Sequence, residues 1–71
     1  MEMIKVNSSN IEAIGYDTHS ATLIVQFKSG GTYQYFDIPR HLYDSLMRAS
    51  SHGKFLDVNI IKYGYRYKKI K

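Results

Sequence analysis

The side chains best suited to bind a ligand lie near the end of the chain, where cations alternate with aromatic residues. The cations are Lys62, Arg66, Lys68 and Lys69, and the aromatic residues are Tyr63, Tyr65 and Tyr67. Cationic groups neutralise phosphates, and aromatic rings stack on unpaired bases. The segment is therefore a candidate contact for RNA or other single-stranded nucleic acid. The alternative is a solvated basic tail whose tyrosines pack on the core.

A second candidate is the pair Tyr33 and Tyr35, which stand two residues apart and share one face of any strand they occupy. Facing solvent, they would form a stacking surface of the kind that binds RNA. Facing inward, they would be cross-strand packing, which is the commoner role of aromatic residues in sheets. Both interpretations depend on the strand register.

Catalytic and metal-binding constellations are not recognisable in the sequence. The residues considered are His19, His41 and His52, together with Asp17, Asp37, Asp44 and Asp57. The histidines are scattered without metal-ligand spacing, and the acids show no paired spacing for acid–base work. A phosphate-binding loop, a nucleophile elbow and a cysteine nucleophile are also missing. We therefore expect a protein that is not an enzyme and that holds no metal or cofactor.

Length and composition indicate one small globular domain covering residues 1–71. Of these 71 residues, 44% are hydrophobic, which is normal for a folded chain, and none is cysteine. The sequence has neither an apolar run of about 20 residues nor a signal-peptide core. A cytoplasmic protein without membrane contact is expected. Because so short a chain buries a modest core, dimerisation would be a natural supplement.

The net charge of +4 is unevenly distributed along the chain. Residues 1–53 contain four cationic and five acidic side chains, whereas residues 54–71 contain six cationic and one acidic. The whole positive excess therefore lies in the last quarter of the chain, which contains the basic and aromatic segment.

The pattern of apolar residues predicts an α+β fold built on a three-stranded antiparallel meander. Residues 11–17, 22–28 and 32–38 read as strands, and Ser29-Gly30-Gly31 as a hairpin turn. A three-residue loop is expected to pair Phe27 with Tyr33 and Val25 with Tyr35, which places both tyrosines on the core face. A two-residue loop would turn them outward, because a slip of one residue exchanges the faces. We favour the first register, since it leaves Gln34 unburied.

One helix, over residues 39–50, is expected to cover the meander. Its apolar stripe comprises Leu42, Tyr43, Leu46, Met47 and Ser50. Asp37 is the candidate N-cap and Gly53 the candidate left-handed terminator. Residues 3–6 are expected to form a short strand or a flexible lead-in. The apolar and basic C-terminal extension is expected to contain a helical turn over residues 58–63 and an edge strand or loose segment over residues 65–71.

Taken together, these residues resemble the KTSC domain family. The resemblance is carried by Ser8-Ser9-Asn10-Ile11, Gly15-Tyr16-Asp17, Leu23-x-Val25-x-Phe27-x-x-Gly30, Tyr33-x-Tyr35, Ile38-Pro39, Tyr43, Leu46, Ala49, Ser51, Gly53 and Phe55. It covers residues 6–65. One departure is Phe55-Leu56-Asp57, where the family tends toward an aromatic pair followed by Asn.

The family takes its name from a segment at the C-terminus of some bacterial lysyl-tRNA synthetases, and it also occurs as small bacterial and phage proteins. The resemblance implies a cytoplasmic module for which RNA binding has been suggested. We therefore expect a binding module for RNA, tRNA included, with a protein-interaction or self-associating domain as the alternative. The expected nucleic-acid contacts are Lys62, Arg66, Lys68, Lys69, Tyr33, Tyr35 and Tyr65.

Overall fold

The computed structural model describes residues 2–71 as a five-stranded antiparallel sheet with helical segments on one face. The strands are β1 (Met3–Lys5), β2 (Ile11–Asp17), β3 (Thr22–Phe27), β4 (Thr32–Tyr35) and β5 (Tyr67–Lys69), adjacent in that order. The helices are α1 (Arg40–Arg48) and α2 (His52–Leu56), and α2 continues into a π-helical turn, Asp57–Ile61. Each strand pairs with its neighbour in the chain, so the sheet is a meander.

The predicted α+β class is correct, but the three-stranded sheet is wrong. Strand β1 adds to the free edge of β2, where Ile4 pairs with Ile14, and β5 adds to the free edge of β4, where Tyr67 pairs with Tyr35. Both added strands are three residues long and exposed throughout. Their pairing depends on backbone hydrogen bonds to an edge rather than on a buried face, so no alternation of apolar residues marks them in the sequence.

The central hairpin has the predicted faces but not the predicted pairs. Val25 pairs with Tyr33 and Leu23 with Tyr35, because the Phe27 N–H donates to Gly31 at 2.8 Å and closes the loop around Lys28, Ser29 and Gly30. Gly30 has a φ of 113°, which glycine adopts readily. The observed pairing differs by two residues from the expected one, and an even shift keeps both tyrosines on the core face.

The residues predicted to cap the start of α1 and to end it, Asp37 and Gly53, do not have these roles. Pro39 precedes the first helical turn, no side chain caps it, and Asp37 lies outside with a φ of 59°. At the other end Gly53 does not terminate α1. It lies within α2, whose N-cap is Ser51, the side chain of which accepts a hydrogen bond from the backbone of Lys54. The covering layer therefore contains two helices and a π-helical turn instead of one helix.

The core lies between one face of the sheet and the helical segments. Its buried residues are Ile11, Ile14, Leu23, Val25, Tyr35, Ile38, Leu46, Leu56 and Ile60. Tyr16 of β2 fastens the two layers, because its ring stacks on Tyr43 of α1 at 4.6 Å and its hydroxyl donates to the Ile38 carbonyl at 2.5 Å. The apolar stripe predicted for α1 is thus the face that meets the sheet.

Candidate functional site

A cavity of about 330 Å³ opens on the helical face of the sheet, beside strands β4 and β5. Its walls are Phe27, Tyr33, Tyr35, Ile61 and Tyr67. Four of these five residues are aromatic and come from three adjacent strands, whereas Ile61 ends the π-helical turn. We refer to these five residues as the tyrosine cavity.

The strand register brings the rings of the tyrosine cavity together. Tyr35 pairs with Tyr67 across β4 and β5, and Tyr33 lies two residues before Tyr35 on the same face of β4. The ring centroids of Tyr33 and Tyr67, and likewise those of Tyr35 and Tyr67, are 6.1 Å apart. Phe27 meets Tyr33 edge to face at 5.8 Å. These separations fall within the range of favourable aromatic contacts.

Tyr35 is the deepest side chain of the cavity, with 4% of its surface exposed. Burial, followed by the neighbouring phenols of Tyr33 and Tyr67, raises the pKa of Tyr35 to about 12. Within residues 2–71 its hydroxyl makes no hydrogen bond, while every fully enclosed side-chain polar atom there has a partner. The Tyr35 hydroxyl is therefore reached from the cavity and is free to meet a ligand.

Two of the four predicted basic contacts are engaged in surface ion pairs. Lys62 lies 3.4 Å from Asp57, and Arg66 lies 3.4 Å from Asp37. The Arg66 guanidinium also stands 5.2 Å from the centre of the Phe36 ring. Lys62 and Arg66, which were expected to contact phosphates, therefore each face a carboxylate instead.

The other two predicted basic residues project from β5 toward opposite faces of the sheet. Lys69 pairs with Tyr33 and therefore lies on the face of the cavity, whereas Lys68 pairs with Gln34 and points to the other face. None of the ion pairs formed among residues 2–71 involves either lysine. Of the four basic residues, Lys69 is the one that strand geometry sets at the rim of the cavity.

The remaining predicted site residue, Tyr65, stands apart from the cavity. Its ring stacks on Tyr63 at 4.9 Å and packs against the edge of the core. Of the residues that line the cavity, Tyr33 and Tyr35 were expected contacts, Tyr67 was named only as part of the basic and aromatic segment, and Phe27 and Ile61 were not expected. A signal for Tyr67 was present, because residues 65–67 repeat the Tyr-x-Tyr spacing of β4 and so mark a strand that could pair with it.

A second, more open cavity of about 380 Å³ lies between the end of α1 and the π-helical turn. It is lined by Ala49, Ser50, Ser51, Lys54, Phe55, Val58 and Asn59. Asn59, which comes after the position where the family tends to have Asn, donates its side-chain amide to the Phe55 carbonyl at 3.2 Å. Its amide therefore serves the local turn.

Residues 2–71 lack two other features that would indicate a function. Within that range, no group of three or more His, Cys, Asp or Glu side chains is placed to hold a metal ion. The same residues include no helix with the length and apolar character needed to cross a membrane.

Comparison with known proteins supports the resemblance found in the sequence. The family model described as the KTSC domain matches residues 7–69. A KTSC domain protein from Yersinia pestis, known from its crystal structure, superposes with a TM-score of 0.90 at 38% sequence identity, covering 99% of this chain and 97% of that one. The five-stranded architecture therefore has a crystallographic counterpart.

Curated relatives include both small proteins and larger ones. A protein of Tsukamurella paurometabola is 41% identical over 64 residues, which cover 90% of this chain and 94% of the relative. A lysine–tRNA ligase of a Nostoc species is 31% identical over 68 residues, covering 96% of this chain but 12% of the ligase. The region that matches this chain thus makes up nearly all of the Tsukamurella protein and a small part of the ligase. On the family match and these relatives, the chain belongs to the KTSC domain family.

Proposed function

We propose that this protein is a non-enzymatic module that binds unpaired RNA through the tyrosine cavity and the basic strand β5. The observation that carries the proposal is the placement of four aromatic rings around one cavity with Lys69 at its rim. Aromatic rings contribute stacking surface for bases, and lysines contribute the phosphate contact that dominates the affinity of nucleic-acid binding.

Two further observations support this choice. The C-terminal quarter, which includes β5, contains the whole positive excess of the chain. In addition, a relative covering 96% of this chain is named lysine–tRNA ligase, so the family includes a protein that acts on an RNA.

The chemistry of the cavity favours binding over catalysis. With a pKa of about 12, the Tyr35 phenol stays neutral near pH 7, where a general base needs a pKa close to the working pH. The other polar groups lining the cavity are also phenols, from Tyr33 and Tyr67. No nucleophile and base stand together among these five side chains.

Fluorescence polarisation with a labelled ten-nucleotide single-stranded RNA, measured across a salt series, tests the proposal. We expect Lys68→Ala/Lys69→Ala to weaken binding and to reduce the slope of log K against log salt by about 0.7, because Lys69 contributes one phosphate contact on a single strand whereas Lys68 points to the other face of the sheet. Lys62→Ala and Arg66→Ala should have smaller effects, because each cation already faces an aspartate.

The matched control is Lys5→Ala/Lys54→Ala, which removes the same charge from β1 and α2, away from the cavity. An equal loss in both double variants would show that net charge, and not strand β5, governs binding. Absence of binding by the native chain at about 50 mM salt would overturn the proposal, because electrostatic contacts are strongest there.

A second candidate is a protein-interaction surface, favoured by large apolar side chains that are exposed in the C-terminal quarter of the chain. These are Val58, Ile61, Tyr63, Tyr67 and Ile70. Burial of such side chains gives complexes that tolerate salt, whereas phosphate contacts weaken steeply with it. Sedimentation of the chain at low and high salt, alone and with RNA, separates the two functions.

A further inference from the structure

A further inference, which rests on the proposed function, identifies the ligand of the tyrosine cavity. We propose that the cavity takes one unpaired nucleobase, whose polar edge meets the Tyr35 hydroxyl while the attached phosphate stays outside beside Lys69. The proposal assigns separate tasks to two residues that lie on the same face of adjacent strands.

The size and lining of the cavity define the class of ligand. A volume of about 330 Å³ is at the lower end of the range for small-molecule sites. The walls offer flat ring surfaces from Phe27, Tyr33 and Tyr67. A single planar ring fits such a space and gains stacking there, whereas a helix or a run of stacked bases is too large.

The polarity of the cavity narrows the class of ligand further. Its lining includes no charged side chain, so an anionic group inside would lose hydration without gaining an ion pair. The Tyr35 hydroxyl, which is reached from the cavity and has no partner within residues 2–71, can either donate or accept a hydrogen bond. The ligand should therefore be neutral and should carry hydrogen-bonding atoms on its edge, as a nucleobase does.

The phosphate attached to the bound base would lie at the rim of the cavity. Lys69 lies opposite Tyr33, and its Cε atom would be 4.0 Å from a Cβ added at Gly31, the residue before β4. A side chain at Gly31 would press on the Tyr33 ring, since an added Cβ would come within 3.2 Å of it. The glycine therefore leaves room at the rim, where the Lys69 ammonium can meet a phosphate while the base is inside.

The first test compares a ten-residue oligouridine with a ribose-phosphate oligomer of equal length and charge that carries no bases. We expect the oligomer without bases to bind at least about tenfold more weakly, in line with the stacking that each base contributes. Equal affinities would overturn the inference while leaving an electrostatic RNA contact, and thus the proposed function, intact.

The second test removes only the hydroxyl group of Tyr35. Tyr35→Phe should weaken oligouridine binding about three- to tenfold, as expected for one hydrogen bond, and leave the oligomer without bases unaffected. The matched control is Tyr43→Phe, since Tyr43 stacks on Tyr16 outside the cavity. Unchanged binding of oligouridine to Tyr35→Phe would overturn the assigned role of the hydroxyl.

Free uridine 5′-monophosphate forms the last arm of the experiment. If RNA is the natural ligand, the mononucleotide should bind far more weakly than the oligomer, because it offers one phosphate in place of several. A mononucleotide that binds as tightly as the oligomer would preserve the cavity as a base site but overturn the RNA-binding function. Thermal unfolding of each variant checks that it is folded.

Discussion

At the scale of single residues, Tyr35 combines deep burial with a hydroxyl that has no partner within the described chain. Because every fully enclosed side-chain polar atom of residues 2–71 has a partner, the Tyr35 hydroxyl is the part of this buried residue that is open to the cavity, and it forms no hydrogen bond that phenylalanine would lose. A polar group that faces a cavity and stabilises no contact of the fold is a candidate functional group. The ionisation of Tyr35 offers a direct probe of its burial.

We expect Tyr35 to make the folded chain sensitive to alkali. Its pKa is 10.0 in the unfolded chain and about 12 in the fold, so the native state holds this proton more tightly. The resulting stability is fully present below pH 10 and is lost as the pH rises to about 12, on the order of 2 kcal/mol in total. Urea unfolding at a series of pH values from 8 to about 12 measures it.

The Tyr35→Phe variant is the reference for this titration, because it lacks the ionising group and keeps the ring. Burial also raises the pKa of Tyr16, but that effect is common to both proteins and cancels in their difference. Unfolding free energies that run parallel across the whole pH range would show that Tyr35 is not buried as described.

At the scale of elements, the sequence predicted the parts whose apolar residues recur with a period. Strands β3 and β4 alternate and α1 has an apolar stripe, so these three elements were predicted. Strand β2 was also predicted, although its apolar residues fall on both faces, and its register shifts between Ile11 and Ala13. The edge strands were left open as alternatives, since three exposed residues leave no period. Tyr33 and Tyr35 were predicted as contacts, but the cavity was not predicted, because Tyr67 joins them only through the pairing of β5 with β4.

Gly53 was expected to terminate α1, but it lies within α2. Its contacts allow a test of the packing between elements. Its position within α2 is explained by Asn10, whose side chain occupies the space that a Cβ at residue 53 would need. We expect Gly53→Ala to lower the unfolding free energy by about 1 kcal/mol through this clash. In an Asn10→Ala background the same change should raise it by up to about 1 kcal/mol, because alanine favours helix.

Chemical denaturation of the four proteins in this cycle measures the coupling between the two positions. The prediction requires a change of sign between the two backgrounds. Simple additivity of the two substitutions would mean that Asn10 does not fill the space beside α2.

At the scale of the whole molecule, strand β5 is an integral part of the sheet rather than an extension of it. Thr32 donates to the Lys71 carbonyl at 3.1 Å and accepts from Ile70 at 2.9 Å, and the Tyr67 ring lies 6.1 Å from that of Tyr35. We expect removal of residues 67–71 to lower the unfolding free energy and to return the pKa of Tyr35 toward 10, since water would then reach its ring.

Removal of residues 2–5 is the matched control, because it deletes the other edge strand without uncovering the cavity. It should also reduce stability but leave the ionisation of Tyr35 unchanged, as measured by absorbance near 295 nm. A normal Tyr35 ionisation in both truncated proteins and in the native chain would contradict the docked position of β5.

The order of the strands also governs how this unit can be attached to other proteins. Strand β1 lies at one edge of the sheet and β5 at the other, four strand spacings away, or about 19 Å. A partner domain fused ahead of β1 would emerge far from the tyrosine cavity and leave its mouth clear. One fused after Lys71 would start beside Thr32, next to Tyr33, and would crowd the entrance.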